Sequence, residues 1–332
     1  YAIFAIHEFE PSQENLWTLG LRFDYGTIDM KGYYDPNLYE FLIGNNQSEE
    51  TATSYAQRSQ DLDRNFTSFN IRLGWDHQFN DQFSSKINLG TAFRLPTAIE
   101  LGANGIHHGS FRHEQGDPNL DPEQGFMADV SLNYRENSWN INLTPYAYFF
   151  NNYIFLRPSG TFSLLPHSGQ LYKYTESEAL LSGVELQVDK ELGRWHFGVA
   201  GEYIYNQQLT SNRSRNYPLP FTPANNVFTE VGYQLFTDSK IFNATEVSIS
   251  NRSVMQQDRI AQGEEITPGY SLWGVGYQTL LEFDGFKANI NFRIDNLLNT
   301  KYFNHTSFYR RLQIPEMGRN IQLSIKIPFG QS

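Results

Sequence analysis

Histidines and carboxylates that could bind metal are concentrated in one stretch of this sequence, between residues 107 and 117. Neutral imidazole nitrogens and carboxylate oxygens suit Zn, Cu, Fe or Ni. Adjacent side chains of an extended segment point to opposite sides, so His107 and His108 share one ion only if the backbone turns there. Packing of this loop without any ligation is the alternative. The predicted ligand-binding residues are His107, His108, His113, Glu114 and Asp117, with the three histidines as the metal ligands.

Catalysis is not expected from this sequence. It contains no cysteine, so it has neither a thiolate nucleophile nor a thiolate metal site. Neither a Gly-x-Ser-x-Gly elbow nor a His-Glu-x-x-His motif occurs. We therefore predict no catalytic residue, no enzymatic activity and no required cofactor.

The composition is unusually aromatic, with 26 Phe, 20 Tyr and 5 Trp among 332 residues. No run approaches the roughly 18 apolar residues that a membrane-spanning helix needs, which excludes a helical membrane protein. The formal net charge of -11 argues against nucleic acid as a partner, because phosphate binding needs a concentrated basic face.

Apolar and polar residues alternate along many segments of the chain. In residues 17–25 apolar side chains occupy every odd position, and the same period of two returns at 128–135, 286–295 and 321–329. Such a period is typical of a strand with one apolar face, and we predict about thirteen strands, many of the roughly ten residues that cross a bilayer. The sequence thus predicts an all-β fold, a transmembrane antiparallel β-barrel. The side chains expected to face lipid include Leu19, Leu21, Phe23, Ile290, Phe292, Leu323 and Ile325.

Short polar links alternate with long segments between these strands. Outer-membrane barrels have short periplasmic turns and long external loops, whereas loops longer than about 15 residues are uncommon in a compact soluble sandwich. If the final strand runs toward the periplasm, every long segment lies outside the cell, and outer-membrane lipid surrounds the strands. The long segments are 29–63, 95–124, 155–170, 207–219, 256–269 and 297–317.

The chain begins at Tyr1 inside an apolar alternation, without a signal peptide. Bacterial single-chain barrels have an even number of strands, so we expect further strands before Tyr1. Residues 1–9 should then pair with a strand outside this chain, and residues 320–329 with the first strand of the barrel. On this interpretation residues 1–332 are the C-terminal portion of one barrel.

Six sequence blocks follow one another along the chain. They are Phe-Arg-Leu-Pro-Thr-Ala-Ile-Glu-Leu at 93–101, Asn-Gly-Ile-His-His-Gly at 104–109, Gly-Asp-Pro-Asn-Leu-Asp-Pro-Glu at 116–123, Leu-Pro-Phe-Thr-Pro at 219–223, Asp-Asn-Leu-Leu-Asn-Thr-Lys-Tyr at 295–302 and Pro-Glu-Met-Gly-Arg-Asn at 315–320. These blocks resemble those of TonB-dependent receptors of the Gram-negative outer membrane, and in order and spacing the resemblance extends over nearly the whole chain. One departure is the end, where Gly330, Gln331 and Ser332 follow Phe329, whereas the family commonly ends on an aromatic residue.

The resemblance implies a barrel of about 22 strands plugged by an N-terminal domain, with the plug and the first strands missing from this chain. It also implies import of a scarce small-molecule or metal ligand, driven by the proton-motive force through TonB. The ligand stays open between zinc or another metal, haem and a ferric siderophore. A passive outer-membrane porin is the alternative function.

The motif residues are expected to have mainly structural roles. Proline fixes φ and has no N–H donor, so prolines mark the ends of strands. Arg94, Glu100, Asp117 and Glu123 are expected to form ion pairs that hold the 95–124 loop against the rim of the barrel. The residues to which the motifs give a structural role are Arg94, Pro96, Glu100, Pro118, Asn119, Leu120 and Glu123.

Overall fold

A computed structural model describes residues 1–211, 216–239 and 241–328, except for the side chains of residues 236–238. The strands in these residues are β1 (Ala2–Ser12), β2 (Asn15–Met30), β3 (Tyr33–Tyr34), β4 (Gln57–Ser59), β5 (Leu62–Gln78), β6 (Phe83–Arg94), β7 (Asn104–His107), β8 (Arg112–Gln115), β9 (Glu123–Glu136), β10 (Trp139–Phe162), β11 (Gln170–Leu192), β12 (Trp195–Leu209), β13 (Asn226–Asp238), β14 (Phe242–Val254), β15 (Tyr270–Phe283), β16 (Phe286–Asp295) and β17 (Asn320–Lys326). The helices are α1 (Pro36–Gly44), α2 (Glu49–Ala56), α3 (Ala98–Gly102) and a 3-10 helix at Phe308–Leu312.

One antiparallel sheet contains all the long strands. Its order is β1-β2-β5-β6-β9-β10-β11-β12-β13-β14-β15-β16-β17, so each long strand pairs with the next one along the chain. These are the thirteen strands that the alternation predicts. The sheet is open: β1 and β17 are its edges, and within the described residues neither has a second neighbouring strand.

The two faces of the sheet differ in chemistry because side chains alternate along each strand. On one face polar groups bond across strands: the Asn88 amide donates to Asp129 at 2.8 Å, and the Asn142 amide donates to Asn133 at 2.7 Å. The opposite face is apolar, and Leu323 on it is 63% exposed. All the side chains predicted to face lipid lie on this apolar face, exposed for Leu19, Leu21, Phe23, Leu323 and Ile325 and half-buried for Ile290 and Phe292.

The short connections all lie at one end of the strands, which we call the turn end, and the long connections lie at the other, the loop end. Tight hairpins need residues with positive φ, which matches the right-handed twist of the strands. Asn137 and Ser138 have φ of 47° and 62°, and Asp284 and Gly285 have φ of 46° and 80°. The predicted alternation of turns and loops is therefore confirmed.

Two predicted loop boundaries need correction. Residues 155–170 were expected to form a long loop, but β10 extends to Phe162 and β11 starts at Gln170. Pro158 and Gly160 are accommodated in these strands because the register shifts between Pro158 and Phe162. After β12, which ends at Leu209, the next strand begins at Asn226, beyond the expected end of the loop at residue 219.

The helices are short and lie at the loop end. Asp35 and Ser48 cap α1 and α2 by accepting hydrogen bonds from backbone N–H groups of the first turn. No helix in the described part of the chain is long and apolar enough to cross a membrane. Between residues 64 and 328 the longest described helical segments have five residues, in line with the predicted all-β fold. The predicted end of the last strand at Phe329 and the tail at 330–332 lie outside the described residues.

Candidate functional site

The segment between β6 and β9, loop 95–122, folds back onto the loop end and carries most of the residues singled out in the sequence. It contains α3, β7 and β8. β8 pairs in parallel with β11, with His113 opposite Leu171. The neighbouring β12 ends where Leu209 pairs with Glu178, so β8 uses a part of the β11 edge that β12 leaves free.

Arg94, the last residue of β6, holds both ends of this loop. Its guanidinium donates to both carboxylate oxygens of Glu123 at 2.8 and 2.7 Å and to both of Glu100 at 2.9 and 3.0 Å. Bidentate charge-assisted bonds of this kind are strong and geometrically specific. Because Glu123 also accepts from the Ile154 N–H at 2.8 Å, it ties the group to β10. The ion pairs predicted for these three side chains are confirmed.

Glu100 also completes the first turn of α3. Thr97 accepts from the Glu100 N–H at 3.2 Å, while the Glu100 carboxylate accepts from the Thr97 N–H at 2.7 Å, a capping box. Burial raises the pKa of Glu100, but the bonds from Arg94 and Thr97 outweigh burial and the net pKa is lowered. Glu100 is therefore a charged structural anchor. Pro96, just before the helix, is fully buried.

Asp117 has a different role from the ion pair expected of it. Its carboxylate accepts from the backbone N–H of Asn119 at 2.9 Å, and its own N–H donates to the Glu100 carbonyl at 2.9 Å. Gly116 allows this approach, because a Cβ there would lie 2.6 Å from the Gly102 nitrogen. Asp117 and Asn119 thus shape a turn, an ordinary use of short polar side chains.

The end of loop 95–122 is held by contacts that the motifs alone do not reveal. Arg64 of β5 donates to the carbonyls of Pro118 and Leu120 at 2.9 and 2.7 Å. Leu120 is 2% exposed and packs with Leu101 and Ile154 in a small apolar core. These contacts hold the backbone at Pro118 and Leu120 against β5 and the side chain of Leu120 against β10.

His113 is buried, with both ring nitrogens in hydrogen bonds. Its Nε2 lies 2.8 Å from Oδ1 of Asn104, and its Nδ1 lies 2.8 Å from Oγ of Ser163. The Asn104 amide nitrogen donates to the carbonyls of Ser54 and Gln57, so its oxygen must accept from His113, which places the imidazole proton on Nε2. Burial, aided by the charge of Arg58, lowers the pKa of His113 to about 4. This histidine is a neutral structural residue at pH 7.

Glu114 is also buried and held in place by two partners. Its carboxylate accepts from Arg112 Nε at 2.6 Å and from the Tyr174 hydroxyl at 3.0 Å. A buried carboxylate needs such partners because an unpaired buried charge is costly. Glu114 thus connects β8 to β11.

The predicted metal-ligating histidines are not brought together. His107 and His108 are exposed near the tip of the loop, and His107 Nδ1 lies 3.1 Å from the Ser110 hydroxyl, whereas His113 is enclosed by protein. Within the described residues, no group of three or more His, Cys, Asp or Glu is arranged to hold a metal ion. The sequence spacing did not reveal that His113 is committed to partners from distant segments.

Comparison with known proteins defines the class to which this barrel sheet belongs. The family model described as "TonB dependent receptor-like, beta-barrel" matches residues 1–297. The chain therefore belongs to this family of TonB-dependent receptor barrels, as the sequence blocks predict. The family consists of receptors and transporters, not enzymes.

Solved structures with the same fold have low sequence identity to this chain. The copper transporter OprC is 17% identical with a TM-score of 0.76, and the match covers 98% of this chain and 47% of OprC. The FrpB iron transporter from Neisseria meningitidis (F3-3 variant) is 13% identical, with a TM-score of 0.65 and coverage of 96% and 53%. The Serratia marcescens hemophore receptor HasR, solved as a double mutant with its hemophore HasA and heme, is 16% identical, with a TM-score of 0.64 and coverage of 98% and 50%. This chain thus spans about half the length of these proteins.

Proposed function

We propose that this chain is the C-terminal portion of the barrel of an outer-membrane receptor that imports a scarce ligand into a Gram-negative bacterium, with energy delivered through TonB. The observation that carries the proposal is the family match over residues 1–297. The apolar face of the sheet supports it, because exposed side chains such as Leu323 and Ile325 suit contact with outer-membrane lipid.

The remainder of the receptor, on this proposal, precedes Tyr1. It comprises the first strands of a barrel of about 22 strands and a plug domain inside it. TonB would act on that N-terminal part, while the described loops would form the outer entrance for the ligand.

The transported ligand is proposed to be a metal, haem or a ferric siderophore. The structural relatives named above include transporters of copper and iron and a hemophore receptor bound to heme. Their low identity supports the fold alone, so the three ligand classes are left as the candidates to test. The exposed His107 and His108 are the residues of the predicted group that stay accessible to a ligand.

Uptake measurements would separate this proposal from a passive porin. Cells that produce the full-length protein should take up one of copper, zinc, haem or a ferric siderophore faster than cells without it. Removal of TonB should abolish this increase, because transport through a plugged barrel needs an energy input. Uptake that persists without TonB would contradict the proposal and favour the porin.

A further inference from the structure

Two cations face each other in the outer part of the β10–β11 hairpin. Arg157 lies directly opposite Lys173 in the antiparallel register. Like charges at directly opposed positions destabilise a strand pair. Both residues are exposed, and neither side chain has a hydrogen bond, ion pair or ring contact with any part of the chain that the structure describes. Within the described residues, the two cations thus have no counter-charge.

Unpaired cations are not a general feature of the loop end. Arg310 bonds to Glu264, and Arg259 stacks over the Tyr205 ring at 3.8 Å. Arginines with carboxylate partners in this region also include Arg64, Arg94 and Arg112. Among the described residues, Arg157 and Lys173 thus differ from these five arginines, each of which has a partner.

The pair lies in the wall of a cavity of 570 Å³. Gln208, Tyr217 and Gln262 line the same cavity from the end of β12 and from the loops that follow β12 and β14. Among the described residues that line it, none is acidic, although the chain has a net charge of -11. Amide and hydroxyl groups beside two cations form a donor-rich site that suits an anion.

The walls of this cavity are held in place by contacts between segments. Gly263, with φ of 77°, lies so close to Pro158 that a Cβ would come within 2.9 Å of the proline Cγ. Gln208 Nε2 donates to the Pro218 carbonyl at 3.1 Å. Arg311 bonds both to the Tyr172 hydroxyl and to the Gly263 carbonyl. The backbone around the cavity is therefore held by the fold, which lowers the entropic cost of binding to the ordering of the Arg157 and Lys173 side chains.

We propose that Arg157 and Lys173 form a subsite for a phosphate-like oxyanion group of the ligand that is captured outside the cell. Arg157 can bind two oxygens through its planar guanidinium, and Lys173 supplies a compact second charge. Because Tyr217 and Gln262, from the segments after β12 and β14, line the cavity together with the strand ends, the anion is assigned to a soluble ligand rather than to a lipid headgroup. This inference rests on the proposed receptor function, and it names a chemical class for part of the ligand.

Calorimetry with inorganic pyrophosphate as the probe tests the subsite on the full-length protein in detergent at low salt. The Arg157→Gln/Lys173→Gln variant should bind pyrophosphate at least about tenfold more weakly, because each charge-assisted bond contributes strongly to affinity. Lys173→Glu should also lose binding while retaining the hairpin, since Glu opposite Arg157 forms a favourable pair. The control Lys31→Gln/Lys301→Gln removes the same charge elsewhere at the loop end and should bind like the unmodified protein. Equal affinity in all variants would overturn the proposal.

The source of the anion is tested by repeating the titration in phosphatidylcholine nanodiscs with and without added lipid A. The affinity for pyrophosphate should be the same in both. If lipid A weakens binding to the unmodified protein, the subsite belongs to a lipid phosphate and the assignment to a soluble ligand is wrong. Pyrophosphate binding needs neither TonB nor transport, so failure of this inference and failure of the uptake proposal are separate results.

Discussion

Loop 95–122 and the outer part of the β10–β11 hairpin lie beside each other at the loop end. Their charged residues differ in whether they have partners of opposite charge. At the base of the loop, Arg94 is paired with Glu100 and Glu123, whose side chains are 13% and 10% exposed. In the hairpin, Arg157 is matched by another cation, Lys173, and both are exposed. The charged groups at the base of the loop pair with each other and stabilise the loop. The two cations of the hairpin can instead bind a ligand.

This difference shows where a ligand is to be sought. Motif residues such as Arg94 and Glu123 form ion pairs with each other, and these ion pairs position the loop. Arg157 and Lys173 belong to none of the sequence blocks, and they become visible only through the register of β10 and β11. At this end of the barrel, a residue that belongs to a motif is therefore not for that reason free to bind a ligand.

The largest effect is expected when Arg94 is replaced by Met. Two mostly buried carboxylates would lose their shared cation, a change that costs about 3 kcal/mol or more. Hydrogen exchange should show this loss at amides of loop 95–122, such as the Gly116 N–H bonded to the Ala103 carbonyl. Arg22→Met is the control, because the Arg22–Asp24 pair is exposed and screened by water and should contribute much less to stability. Equal losses in both variants would contradict the anchoring role of Arg94.

The pairing in this loop was predictable because its partners are close in sequence or carried by one set of motifs. Arg94 and Glu100 are six residues apart, and Glu123 is recognisable within the Gly-Asp-Pro block. The surroundings of His113 were not predictable, because Ser163 lies fifty residues away on another hairpin. Periodicity predicts which face a residue occupies, but it does not predict which distant loop covers it.

The full length of β10 and β11 was also not predicted from the sequence, for a physical reason. Alternation predicts strands where a membrane imposes an apolar face, and the outer part of this hairpin has no such face. Residues 155–162 contain Pro158 and Gly160, which are typical of a turn. The strands continue there because the irregular register absorbs both residues and because β8 pairs with β11 near Tyr172.

Acidification should loosen loop 95–122 through His113. The pKa of this buried imidazole is about 4 in the folded protein, against about 6.5 in an unfolded chain. Between these values only the unfolded state takes up the proton, so stability is complete above pH 6.5 and falls as the pH approaches 4. The loss should reach about 3 kcal/mol at most. Hydrogen exchange of the loop, corrected for intrinsic rates, should show this fall.

His113→Gln is the control for this pH dependence. The amide can both donate to Asn104 and accept from Ser163, but it does not titrate. The variant should therefore lack the additional loosening between pH 6.5 and 4. Similar pH profiles for the variant and the unmodified protein would assign the effect to other groups.

A smaller contrast is expected within the same loop, between His113 and the two histidines at its tip. His113→Ala leaves Asn104 and Ser163 without their partner and should cost about 1–3 kcal/mol. His107→Ala/His108→Ala should change stability by less than about 0.5 kcal/mol, because both residues are exposed.

The His107→Ala/His108→Ala variant also tests the ligand role of the tip. Calorimetry with Zn²⁺, haem and a ferric siderophore should show weaker binding of one of them by the full-length receptor, with barrel assembly unchanged. Unchanged binding of all three would leave these histidines with no role in ligand capture.

A small stabilisation is expected when the repulsion between Arg157 and Lys173 is replaced by attraction. Lys173→Glu places a carboxylate opposite Arg157, and cross-strand ion pairs contribute about 0.2–1 kcal/mol. Amides of β10 and β11 around these two positions should exchange more slowly than in the control Lys173→Gln, which removes repulsion without adding attraction. The gain should shrink in high salt, because both side chains are exposed and salt screens such pairs. If Lys173→Glu protects the hairpin no better than Lys173→Gln, Arg157 and Lys173 are too far apart in solution to act on one anion together.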